Sequence, residues 1–181
     1  IPANHEVWIK KSLDIGAEGI IAPQVNSAAE AEQIVRLCKY PPRGARSVGI
    51  GRAHKYGLGF KEYVKKANDE VAVIIQAEST NALKNISEIV RVPGIDAILI
   101  GPYDLSASMG KMGKVTDPDV RNAIATIAEC CLSAGLRVGI FVDTAETAAA
   151  FIQQGCTLIA ISTDGLYMAL GAKETLNALK R

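Results

Sequence analysis

The chain has 181 residues, 49% of them apolar and 22% charged, with a formal net charge of +1. That is enough for one sizeable core, so a single domain over 1–181 of ordinary globular composition is expected. Nothing in the charge balance favours nucleic acid or a membrane surface as partner, and no apolar run approaches the ~18 residues of a membrane span.

In chain order, apolar residues at 7, 8, 9, 13 and 15 predict a short helix from Val7 to Ile15, stopped by Gly16. Gly19 to Val25 reads as a buried strand. Ser27 caps a helix to Tyr40, with Glu30 completing a capping box and Pro41-Pro42 ending it. Residues 41–61 form a long loop rich in glycine and basic residues, among them Arg52 and His54, and Phe60 to Asn68 is a predicted helix. Val71 to Ala77 opens with five apolar residues, four of them β-branched, the composition of a strand buried on both faces. A helix from Thr80 to about Arg91 and a strand at 97–101 follow. Thr116-Asp-Pro118 starts a helix that Gly135 stops. Arg137 to Val142 is a strand, Thr144 caps an alanine-rich helix to Gln154, Leu158 to Ser162 is the last strand, and the last helix covers about Leu166 to Lys180.

This is β-α repeated five times, the pattern of a parallel sheet covered by helices. An open doubly wound sheet and a (β/α)8 barrel both fit. Polar residues collect at the strands' C-terminal ends (Gln24, Gln76, Glu78, Asp104, Thr163, Asp164), the face where a barrel carries its site. A barrel needs about 250 residues, so that reading expects about 70 more ahead of Ile1. The opening, Ile1-Pro-Ala-Asn-His5, has no initiator Met and no signal-peptide pattern, and reads as the middle of a domain.

Two stretches carry the chemistry. Gln76 and Glu78 are two residues apart, so a strand ending there points both the same way. Some 25 residues on, Ala97-Ile-Leu-Ile-Gly-Pro-Tyr-Asp104 again ends an apolar run in a carboxylate. Two acids at the ends of buried strands suggest a hard-cation site for Mg²⁺ or Mn²⁺. Helix-start chemistry is the plainer account of both acids. Cys38, Cys130, Cys131 and Cys156 form no CxxC pair, sit in apolar stretches and read as buried thiols of a reducing cytoplasm. Gly49-Ile-Gly51 lacks the further spacing of a dinucleotide loop, so no nucleotide is expected. Arg52 and His54 could meet the distal end of an acidic substrate or form a solvated basic loop, and Asp143, Glu146 and Asp164 read as helix caps or solvent-facing acids.

Gln76-Ala-Glu78 followed by Ile100-Gly-Pro-Tyr-Asp-Leu-Ser106 resembles the metal-dependent pyruvate aldolases of the dihydroxyheptenedioate aldolase/citrate lyase family. Ile1-Pro-Ala-Asn4, Tyr40-Pro-Pro-Arg-Gly-Ala-Arg46, Gly49-Ile-Gly51, Lys65-Lys-Ala-Asn-Asp69 and Leu170-Gly-Ala-Lys173 extend the resemblance along the chain. It implies a (β/α)8 barrel, here without roughly its first two to three units, and a homo-oligomer, often a trimer of dimers with the last helix exchanged. It implies Glu78 and Asp104 as ligands of Mg²⁺, Mn²⁺ or Co²⁺, and Gln76 against the pyruvate oxygens. The substrate carboxylate would lie at Gly101-Pro102-Tyr103-Asp104, held by the amides of Tyr103 and Asp104. Phe141 would line the pocket, and Asp14 would approach a neighbouring subunit's site. The family's catalytic Arg and His match positions before Ile1, and His5 is no substitute. The implied reaction cleaves a 2-keto-4-hydroxy acid to pyruvate and an aldehyde. No predicted strand holds a lysine, which argues for a metal rather than a Schiff base to stabilise the enolate. A citrate-lyase or malyl-CoA-type lyase, and a non-catalytic metal-binding barrel fragment that oligomerises, are the competing readings.

Overall fold

A computed structural model of the chain describes residues 1–179. It contains five strands: β1 (Gly19–Ala22), β2 (Ala72–Ala77), β3 (Ala97–Ile100), β4 (Arg137–Val142) and β5 (Leu158–Ile161). Eight helices accompany them: α1 (Glu6–Asp14), α2 (Ala28–Cys38), α3 (Phe60–Glu70), α4 (Thr80–Ile89), α5 (Pro102–Ser108), α6 (Pro118–Ser133), α7 (Ala145–Gln153) and α8 (Asp164–Leu179). Lys180, assigned from sequence to the last helix, lies outside the described residues.

The strands pair in parallel in the order β1-β2-β3-β4-β5. Each strand neighbours the next, with no reversal of order of the kind that defines a doubly wound sheet. Sequential order is the barrel pattern, so the five units form an arc of a barrel wall rather than an open doubly wound sheet.

Local chemistry explains the ends of the elements. β1 stops three residues before Val25, because Pro23 has no N–H for a ladder and Gln24 turns to φ +53°. Ser27 Oγ accepts from Glu30 N at 3.2 Å, while the Glu30 carboxylate reaches back to Asn26 N at 2.7 Å, so the capping box closes one residue earlier than predicted. Asp117 caps α6, with Pro118 at its first position.

The core lies between the outer face of the sheet and the helices. Val73, Ile75, Ala77, Ile98, Ile100, Val138 and Ile140 point into it and are buried. The concave face is different. β3 is buried on both sides, but in β2 Ile74 and Gln76 are half-buried, and Ile21 of β1 is exposed. The expectation of a β2 buried on both faces therefore holds only for its helix-facing side, because a five-strand arc leaves its concave side partly open. α8 buries none of its residues among the described ones, and Leu166, Met168, Leu170, Leu176 and Leu179 are exposed along it.

Candidate active site

Strand register brings the two acid-bearing stretches together. Gln76 pairs with Leu99 and Ala77 with Ile100, and Gly101 N donates to Ala77 O at 3.2 Å. Glu78, one residue past β2, therefore stands beside Gly101. The contact is close: a Cβ on Gly101 would lie 2.6 Å from Glu78 Oε2 and 3.1 Å from Gln76 Nε2. Glycine is required here because any side chain would displace the carboxylate.

Glu78 is only 3% exposed. Its Oε1 accepts from the backbone N–H of Gln24 at 2.8 Å, and its Oε2 accepts from the Gln76 side-chain amide. Burial is the main force that raises its pKa above the ordinary carboxylate value; the nearby Asp104 charge adds to it, while the Gln24 and Gln76 hydrogen bonds oppose it. Each carboxylate oxygen keeps a further lone pair.

Asp104 is the third residue of α5, exposed at the mouth, in the first turn where an acid is favoured by the helix dipole. Pro102 opens the helix with no N–H to satisfy, leaving the N–H groups of Tyr103 and Asp104 at the helix start.

Gln24 was legible only as a polar strand end. In the structure its left-handed backbone aims its N–H at Glu78, and a brace holds it there. Asn26 Nδ2 donates to Gln24 O at 2.8 Å, Ser79 Oγ donates to Asn26 Oδ1, and Asn85 Nδ2 donates to Asn26 O at 2.7 Å. The loops after β1 and β2 are thereby tied together. Nothing in local propensity marks Asn26 for this role, since its partners lie 53 and 59 residues away.

Of the other expected site residues, Phe141 stands on β4 with its ring edge-on to Tyr103, centroids 6.3 Å apart. The Tyr103 hydroxyl donates to Asp143, which faces solvent as expected; that bond raises the phenol pKa. Asp14 is elsewhere. It ends α1, at the rim where strands begin, and holds Arg46 Nη2 at 2.9 Å and Lys10 Nζ at 2.5 Å. His54 is 1% exposed and spends its ring nitrogens on Gly49 O, Gly51 N and Gly57 N, so it organises its loop and is not a solvated base.

The donor set suits a hard divalent cation: two carboxylates and an amide, with one carboxylate buried and pre-oriented. Among the described residues no three His, Cys, Asp or Glu side chains cluster with metal-holding geometry. Lysine chemistry is absent from the described strands. The buried Lys39 gives its ammonium to Val71 O at 2.6 Å, at the opposite end of β2 from Glu78, and desolvation lowers its pKa. The four cysteines are free thiols. No described helix is long and apolar enough to cross a membrane.

Several known proteins are similar to this chain. The 2-dehydro-3,6-dideoxy-6-sulfogluconate aldolase of Pseudomonas putida is 38% identical over 181 residues, covering 99% of this chain and 71% of that protein. The 4-hydroxy-2-oxo-heptane-1,7-dioate aldolase of Klebsiella pneumoniae subsp. pneumoniae is 37% identical over 172 residues, 94% of this chain and 64% of that protein. The chain thus spans about two thirds of the length of these curated relatives. A crystal structure of an HpcH/HpaI aldolase/citrate lyase family protein from Burkholderia cenocepacia superposes with a TM-score of 0.95 at 32% identity, covering 100% of this chain and 72% of that one. The family description HpcH/HpaI aldolase/citrate lyase matches residues 1–169, and the chain belongs to that family.

Proposed function

We propose that this chain carries the metal- and pyruvate-binding half of an aldolase that cleaves a 4-hydroxy-2-oxo acid to pyruvate and an aldehyde. The observation that carries the reading is Glu78: a buried carboxylate, aimed by Gln24 and Gln76, beside a glycine where an added Cβ would lie 2.6 Å from its Oε2. Such a group raises the energy of the metal-free protein and makes sense where a cation is bound. Two relatives that bear aldolase names support the reaction class.

In this reading Glu78 and Asp104 hold a divalent cation, Mg²⁺, Mn²⁺ or Co²⁺, with Gln76 beside them. A cation held there would supply Lewis acidity for the enolate charge of an aldol cleavage. The Tyr103 and Asp104 amides receive the substrate carboxylate at the start of α5. Gln76, partly freed from Glu78, donates to a substrate oxygen. Phe141 flanks the bound molecule from β4. No described strand holds a lysine, which favours the metal route. By the resemblance, the family's proton-handling Arg and His match positions before Ile1. The exposed apolar side chains of α8 support a homo-oligomer, in which Asp14 approaches a neighbouring subunit's site.

The test is pyruvate release from 4-hydroxy-2-oxo acids by the intact protein, with added Mg²⁺, Mn²⁺ or Co²⁺. Activity should vanish with EDTA, return with metal, and fall at least about a hundredfold in Glu78→Gln, the scale of losing a principal electrostatic group. Full activity in EDTA, or a borohydride-trapped Schiff base, would overturn the metal mechanism.

A further inference from the structure

The two acid-bearing stretches are fastened to each other on both sides of the proposed ligands. One stretch is residues 77–80, with Glu78 inside it; the other is residues 101–108, α5 with its cap, with Asp104 inside it. At one end Gly101 N donates to Ala77 O at 3.2 Å, continuing the β2–β3 ladder. At the other, Thr80 N donates to Ser108 Oγ at 2.9 Å, and the hydroxyls of the two residues lie 3.1 Å apart, within hydrogen-bond reach. Both ends of α5 are thus tied to residues that flank Glu78.

The two fastenings differ in kind. The first joins backbone to backbone, and adjacent parallel strands make it whatever their side chains. The second depends on one hydroxyl. α5 has seven residues, too few for a helix to hold its place by itself. Asp104 is exposed, so its approach to Glu78 is set by how α5 is seated. Ser106 is fully buried, and its hydroxyl donates to Tyr103 O at 2.7 Å and accepts from Gly113 N at 3.0 Å, which stiffens the first turn. A stiff short helix fixed at Gly101 moves as a body, and Ser108 is the contact at its far end.

The plain account of this bond is helix capping: Ser108 satisfies Thr80 N, one of the amides that the start of α4 leaves without a partner. Ser108 is exposed, so water can replace it there at little cost. Capping does not require the partner to come from the far end of α5, across the two acids from Gly101.

We propose that Ser108, through Thr80, is a positioning residue for the cation site: it sets the spacing of the Glu78 and Asp104 carboxylates and so the preference for a small cation. Mg²⁺ demands oxygens at about 2.0–2.1 Å in near-ideal octahedral array, whereas Ca²⁺ accepts about 2.3–2.6 Å and irregular geometry. A fixed spacing favours the first and a loosened one costs it more. The inference rests on the metal reading above and deepens it.

The experiment loads the intact protein with Mn²⁺ and titrates in Mg²⁺ or Ca²⁺, with the EPR signal of free Mn²⁺ reporting displacement. Ser108→Ala should weaken Mg²⁺ about tenfold and Ca²⁺ no more than about twofold, so the ratio of the two affinities falls about fivefold. Ser108→Thr keeps a hydroxyl and should restore the ratio to within about twofold of wild type; Thr80→Ala keeps the amide that bonds Ser108 and should do the same. The metal-free melting temperature of Ser108→Ala should stay within about 4 °C of wild type, the scale of one exposed hydrogen bond; a larger fall would make Ser108 a residue of the fold and count against the proposal. An unchanged ratio in Ser108→Ala would overturn it, as would an equal loss for both cations, the mark of general loosening. Glu78→Gln separates this inference from the reading beneath it. If Glu78→Gln abolishes Mn²⁺ binding while Ser108→Ala leaves the ratio unaltered, this inference alone fails. If Glu78→Gln binds Mn²⁺ as tightly as wild type, the metal reading fails and takes this inference with it.

Discussion

Two carboxylates in this chain, half-buried Asp14 and buried Glu78, have opposite surroundings. Asp14 sits at the rim where the strands begin, clasped by Lys10 and Arg46, and the Arg46 guanidinium stacks on Tyr40 and Tyr63 at 4.6 and 5.6 Å. It pins the loop of residues 46–51 to α1. Glu78 sits at the rim where the strands end, and its hydrogen-bonding neighbours are neutral: a backbone amide and a glutamine. The nearby charge acting on it is that of another acid, Asp104. The first carboxylate is arranged to hold the fold together. The second is oriented by neutral donors and has no cation paired to it among the described residues, which fits a place for a bound one.

Four measurements test this difference between Asp14 and Glu78. The largest effect is expected at Arg46. Its side chain is wholly buried, so Arg46→Met leaves Asp14 with Lys10 alone and should cost about 3 kcal/mol of unfolding free energy in denaturant melts. A loss under about 1 kcal/mol would remove Asp14 from the structural side. Next is Gly101→Ala. The added methyl meets Glu78 Oε2 at 2.6 Å, so about 2 kcal/mol of overpacking is expected, with at least a tenfold loss of Mn²⁺ affinity by calorimetry. Unaltered affinity would show that Glu78 does not depend on that close approach. Asn26→Ala removes the brace behind Gln24 and should cost about 1–2 kcal/mol, with a severalfold weaker metal site. If only stability falls, Gln24 does not aim Glu78.

The smallest effect is a gain. Glu78→Gln should slightly raise the melting temperature of the metal-free protein near neutral pH, because a buried charge disappears. The sign in pH follows from the raised pKa. In the window between the ordinary and the raised value the folded state binds the proton better, so metal-free stability rises as pH falls through that window and drops as pH rises. Thermal melts in chelator across that window should show the slope in wild type and lose it in Glu78→Gln. A slope of opposite sign would mean that Glu78 is stabilised as an anion.

The order of elements was legible because each is marked locally. The Ser27, Asp117 and Thr144 caps, the glycine stops and the apolar strand runs depend only on neighbouring residues. The pairing of Gln76 with Glu78 was legible for the same reason, since strand alternation sets it. Ends of elements were less so. β1 is shorter than its apolar run, because Pro23 and the left-handed Gln24 end it, and Gln24 turns that way to serve Glu78, 54 residues on. His54 read as one base in a basic loop; its burial among three loop amides and carbonyls depends on how residues 49–57 fold back on themselves.

The amino-acid sequence by itself determined five β-α units, an amide and two acids at their strand ends, and no lysine in the strands, since periodicity and residue chemistry need no long-range information. Tertiary structure alone decided that the sheet runs in sequential order, that Glu78 faces Gly101 and Gln24, and that Tyr103 reaches Asp143. Those contacts join residues 23 to 54 positions apart. They exist because parallel register sets neighbouring strand ends side by side, and register is fixed by how the whole sheet packs on its helices.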